Sequence, residues 1–163
     1  MSFDLFLVAF QDGQAYVGGV EADRQVLDSA QHTHYIEHSN YVICFPDGSH
    51  VELYAGGLHD KDKFDGGMFA LRGRSFSQAV MQFIWDFAAA GRLAIFPAME
   101  PPLVVLPSEE LQAELPSDLL ENRRPIVVAD GHKLGTVLSD GFTVWQAYRD
   151  QIVSDAQDDS GDA

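Results

Sequence analysis

Apolar and polar positions along the chain change period several times, and each change marks an element. Residues Phe3–Phe10 (Phe-Asp-Leu-Phe-Leu-Val-Ala-Phe) are almost continuously apolar. Such a run predicts a central strand buried on both faces. Asp12-Gly13 closes it with a turn signal. From Val20 to Ala30, the apolar residues Val20, Val26, Leu27 and Ala30 sit among charges, as in a weakly amphipathic helix. Tyr41–Pro46 and His50–Ala55 alternate around Asp47-Gly48. Asp and Gly tolerate the positive φ angles of a tight turn, so this pattern predicts a β-hairpin.

Gly56-Gly57 and Gly66-Gly67 bracket a charged loop, and Met68–Arg72 reads as a further strand. Phe76, Val80, Phe83, Ile84 and Phe87 recur at helical spacing, with Ser75 as the expected N-cap and Gly91 as the expected C-cap. Leu93–Phe96 is a short strand that Pro97 ends. Beyond it come an extended run at Leu103–Leu106, a short helix that Pro116 stops, and a β-rich run at Pro125–Ala129. A helix carrying Leu134 and Leu138 is expected to break at Asp140-Gly141, before a last helix with Trp145 and Ile152. Trp85 and Trp145 fall on or beside apolar stripes and read as core.

The sequence therefore predicts an α+β two-layer sandwich, with a mainly antiparallel sheet and helices on one face. It reads as a ferredoxin-like variant, β-α-β-β-α-β with one extra strand, followed by a C-terminal appendage. The expected organisation is a single domain over 1–154 and a disordered acidic tail over 155–163.

Charge narrows the function. The 163 residues carry 25 acids and 10 Lys or Arg, a formal charge of −15. Four acids lie in the tail, so residues 1–154 still carry −11. A body this acidic repels a phosphate backbone, which argues against nucleic acid as a ligand. It favours fast capture of a basic protein partner. No apolar run approaches the roughly 18 residues that span a bilayer, and no basic start precedes an apolar stretch as a secretory leader requires. The single cysteine, Cys44, fits a reducing cytoplasm, and its apolar strand context makes it a small buried hydrophobe.

Two sets of residues carry candidate chemistry. His34-Tyr35-Ile36-Glu37-His38 matches the inverted zincin string H-x-x-E-H. On a helix, His34 and His38 would share a zinc ion, with His32 as a third ligand and Glu37 as the base. The surrounding Thr, Tyr, Ile, Ser and Asn residues favour strand or turn instead. Asp47, Ser49 and His50 are contiguous in a turn, where neighbouring side chains diverge, and form no triad. Neither glycine pair has a phosphate-loop frame. No cofactor is implied. The charged loop beside the hairpin offers a partner-binding patch of Glu52, Tyr54, His59, Asp60 and Asp62, an aromatic ringed by acids.

The opening Met-Ser-Phe-Asp-Leu and the segment Phe45–Gly57 (FPDGSHVELYAGG) resemble small bacterial proteins that begin the same way, some of them immunity-type proteins of polymorphic-toxin systems. The likeness extends loosely to Phe83–Pro97 and to Gly-Phe-x-x-Trp-x-x-Tyr-Arg at 141–149. It implies a cytoplasmic, non-enzymatic acidic domain that occludes a basic partner. The alternatives are a zinc-dependent hydrolase built on residues 34–38 and a small-molecule-binding or scaffold domain.

Overall fold

The computed structural model describes residues 2–30, 32–37, 39–59, 63–64, 66–72 and 76–159. Strand β1 (Phe3–Gln11) turns through Asp12 and Gly13, both at positive φ, into β2 (Gln14–Ala15). A short β3 (Gly18–Gly19) leads into α1 (Glu21–Ser29). Next come β4 (His32–Tyr35), β5 (Asn40–Cys44), β6 (His50–Tyr54), β7 (Lys63–Phe64) and β8 (Gly67–Leu71). Helix α2 (Gln78–Gly91) and β9 (Leu93–Pro97) follow. The remainder is β10 (Leu103–Leu106), a 3-10 helix at Glu109–Glu114, α3 (Ser117–Asn122), β11 (Arg124–Val127) and α4 (Gly131–Asp159).

The main sheet runs β11-β10-β9-β1-β8-β6-β5-β4, with β2 paired to β1. Every pair is antiparallel except β10–β11. The inner order β9-β1-β8-β6, with α1 and α2 as crossovers, is the ferredoxin-like arrangement expected from the sequence. Strands β5 and β4 widen one edge, and β10 and β11 widen the other. The hairpin turns at Asp47-Gly48, with Gly48 at positive φ and Cys44 opposite His50.

Alternation decides which faces are covered. Phe3, Leu5, Leu7 and Ala9 of β1 are buried, as are Ile43, Val51, Leu53 and Phe69 on neighbouring strands. They pack with Val80, Ile84 and Phe87 of α2 and with Leu134 and Leu138 of α4. The rings of Phe83 and Phe87 meet Phe69 edge-on, at centroid distances of 6.1 and 5.5 Å, a favourable geometry for aromatic quadrupoles.

Burial of β1 on both faces holds only in part. On the opposite face Val8 and Phe10 pack under Leu111 and Leu115 of the 3-10 segment, together with Ala94, Phe96, Val104 and Leu106. Phe6 is 47% exposed. The appendage thus covers that face over β9 and β10 and leaves it open from Phe6 toward β5.

Helix boundaries differ from the sequence reading for steric reasons. The N-cap of α2 is Ser77, whose hydroxyl accepts from Val80 N at 3.2 Å; the expected cap, Ser75, lies outside the described residues. Gly91 is the last helical residue, and Arg92 takes the left-handed cap at φ 54°. Asp140-Gly141 does not break α4. A Cβ on Gly141 would collide with the Met99 side chain, so this glycine permits close packing at the usual helical cost of roughly 1 kcal/mol. The helix also continues to Asp159, past the expected start of a tail at 155, because no Pro or Gly interrupts it there. Residues 160–163 lie outside the described residues. Among the described residues, no helix is long and apolar enough to cross a membrane.

Candidate functional site

Of the patch expected from the sequence, the described members Glu52, Tyr54 and His59 do not share one place. Glu52 and Tyr54 project from the open face of β6, in register with Ala70 and Met68 of β8. The Tyr54 hydroxyl donates to Glu52 Oε2 at 2.9 Å, and Arg72 lies 3.5 Å from the same oxygen. The bond to the Glu52 carboxylate pushes the Tyr54 hydroxyl above its ordinary pKa. His59 instead stacks on Tyr35 at 4.1 Å and 7° between planes. Tyr35 is in register with buried Tyr41, which places it on the helix-bearing side of the sheet edge. Asp60 and Asp62 lie outside the described residues.

The segment with the zincin string is not a helix. His32 and His34 belong to the extended β4, and Glu37 sits in the turn to β5, where Asn40 N donates to Glu37 O at 3.0 Å. His38 lies outside the described residues. An extended segment lacks the one-turn spacing that lets two histidines four apart share an ion. Among the described residues, no group of three or more His, Cys, Asp or Glu side chains is placed to hold a metal. Asp47 and Ser49 act as a structural clasp. Ser49 N and its hydroxyl both donate to Asp47 Oδ1, and Ser49 Oγ lies 2.7 Å from Ser77 Oγ, joining the hairpin turn to the cap of α2. These bonds hold the Asp47 carboxyl below its ordinary pKa. Cys44 is half-buried.

A different site stands out at the other end of β1. Val20, Asp23 and Leu27 follow one another at helical spacing on the inner face of α1, and all are buried. Asp23 is 1% exposed, and its Oδ1 has no hydrogen-bond partner among the described residues. Its carboxylate rests against the end of α2. A Cβ on Gly91 would come within 2.6 Å of Oδ1, so only glycine leaves room for it. Burial disfavours the charged form and pushes the Asp23 carboxyl up to about 7.

Asp23 lines a cavity of about 380 Å³ between the β1–β2 turn, the end of α2 and the 3-10 segment. Phe10, Phe64 and Leu93 supply apolar wall, while Gln11, Arg92 and Glu114 supply polar groups. Tyr16, also in the lining, is 46% exposed, as is neighbouring Val17 at 48%. Glu114 fixes one side. Its side chain accepts from Asp12 N at 2.6 Å, and its carbonyl accepts from Gly13 N at 3.0 Å.

The segment that contributes Glu114 is acidic. Between residues 109 and 121 there are five carboxylates (Glu109, Glu110, Glu114, Asp118 and Glu121) and no Lys or Arg. All are exposed except Glu114, which is half-buried. Arg92 approaches Glu110 at 3.8 Å with its side chain 61% exposed. A surface pair of this kind contributes little to stability. Two sequence signals point here: a carboxylate at i+3 from Val20 and i−4 from Leu27 on an apolar helix face, and the acidic run at 109–121.

Comparison with models of protein families, with curated proteins and with solved structures finds no match for this chain.

Proposed function

We propose that this protein is a non-catalytic, acidic binding module that captures and occludes a basic protein partner, in the manner of a cytoplasmic immunity-type protein. The observation that carries this reading is a run of five carboxylates at 109–121, of which Glu114 lines a cavity whose wall also holds buried Asp23, with no hydrogen-bond partner at Oδ1 among the described residues. A one-sign rim beside low-dielectric walls focuses the field and speeds encounter with an opposite charge. Exposed Tyr16 and Val17 beside the mouth then supply apolar area to bury once the partner has arrived. The cavity volume, near the lower end of the roughly 300–1,000 Å³ typical of ligand pockets, favours a small-molecule role as the second reading.

Affinity capture from the source cell's lysate, at about 50 and about 500 mM salt, tests the proposal across the range where surface charge becomes screened. The expected result is a stoichiometric basic protein held at low salt and released at high salt. A rim variant combining Glu109→Lys, Glu110→Lys, Asp118→Lys and Glu121→Lys should fail to hold it. Equal capture by the variant overturns the assignment to this rim.

A further inference from the structure

We propose that the cavity at the end of β1 is a receptor for one guanidinium head on an alkyl stem, with Asp23 as its counter-charge. This deepens the basic-partner reading and rests on it only for the source of the guanidinium, an arginine side chain of the partner or a free alkylguanidine.

A carboxyl on the inner face of a helix is costly unless something pairs with it. Asp23 stands where Val20 and Leu27 have apolar neighbours, it is 1% exposed, and its Oδ1 has no partner among the described residues. Arg92 also lines the cavity, but its guanidinium approaches Glu110 at 3.8 Å and leaves Asp23 Oδ1 without a partner. A metal ion would need several ligating side chains, and no such group occurs among the described residues. A single organic cation needs one carboxylate and a suitable wall.

The wall suits guanidinium. Phe10, Phe64 and Leu93 can cover an aliphatic stem. Tyr16 offers an aromatic ring beside the entry, and a weakly hydrated planar guanidinium stacks on aromatic faces better than a compact, strongly hydrated ammonium does. Gly91 presents bare backbone to the Asp23 carboxylate. Glu114 in the lining, within the acidic run at 109–121, attracts the same charge.

The test uses the full chain, with the ¹³C carboxyl resonance of Asp23 followed during titration with n-butylguanidinium chloride below about 50 mM, and tetramethylammonium chloride as the ionic control. A saturable shift with butylguanidinium alone is expected, and the Asp23 titration midpoint should fall from about 7 toward the ordinary carboxylate range. Because the bound form needs an ionised carboxylate, affinity should drop about tenfold for each pH unit below that midpoint. Asp23→Asn should weaken binding at least tenfold and remove its pH dependence. Tyr16→Ala, at a half-exposed position, should weaken it several-fold and serves if Asp23→Asn does not fold. Binding that is absent, independent of pH, or unchanged in Tyr16→Ala and Asp23→Asn overturns the proposal.

A basic peptide and its arginine-to-citrulline counterpart distinguish the two sources. Competition by the arginine form alone assigns the cavity to a partner's side chain, while no competition assigns it to a free alkylguanidine. Butylguanidinium binding is measured on the unaltered chain, so saturable butylguanidinium binding without capture of any basic protein from lysate separates failure of the partner reading from failure of this one.

Discussion

Replacing Asp23 by Asn keeps the shape of the side chain and removes its ability to ionise. In the folded protein burial lifts this carboxyl from 3.8 to about 7. A shift of about three units, at roughly 1.4 kcal/mol each, makes an ionised Asp23 cost on the order of 4 kcal/mol of folding stability. The sign follows from which state loses its proton first. The unfolded chain ionises near 3.8 and the folded chain near 7, so between these values the folded state binds more protons. Wild-type stability from this residue is therefore full below about pH 4, falls as pH rises, and levels off above about pH 7. Asn pays no such penalty. Urea unfolding of both proteins at pH 4, 5.5, 7 and 8.5 should show a stability difference that is small at pH 4. It should grow to a few kcal/mol in favour of Asp23→Asn at pH 8.5. A difference flat with pH, or one in which the wild type gains on the variant as pH rises, refutes the burial argument.

Two further substitutions probe the scaffold. Gly141→Ala sets a Cβ against the flexible end of Met99, a displacement that should offset the roughly 1 kcal/mol helical gain of Ala over Gly; in thermal denaturation, adding Met99→Ala should turn the substitution into a net stabilisation, and simple additivity would show that the contact is not felt. Ser77→Ala removes the cap on Val80 N and the contact with Ser49 Oγ, so denaturant unfolding should show a loss of about 1–2 kcal/mol.

The sheet core was readable because period-2 alternation and a single strong turn signal agree in the β5–β6 hairpin, and the 3.6-residue spacing from Val80 to Phe87 admits little but a helix. What the sequence concealed depended on neighbours distant in the chain. Gly141 reads locally as a helix breaker, and only the structure shows the Met99 side chain packed against it inside α4. Phe6, Val8 and Phe10 read alike, yet the 3-10 segment covers only the latter two. The zincin string held a true pattern in the wrong conformation, since β4 pairs with β5 along its whole length. The patch of Glu52, Tyr54 and His59 was chosen by proximity in sequence; Glu52 and Tyr54 share one face of β6, while the turn beyond it carries His59 against Tyr35. Asp23 was visible as a charge in a weakly amphipathic helix. Its meaning required the turn at Asp12-Gly13, the end of α2 and Glu114 to converge on it.

The claim that the acidic rim and its cavity form the binding face is tested most directly by amide chemical-shift mapping. The probe is an arginine-rich peptide, with the uniformly ¹⁵N-labelled full chain at low salt. The account predicts saturable changes centred on Asp12, Tyr16, Asp23, Arg92 and Glu114, diminishing as salt rises. Changes centred instead on Phe6, Tyr54 and Met68 of the open sheet face, or on Tyr35 and His59 at the β4 edge, would contradict it.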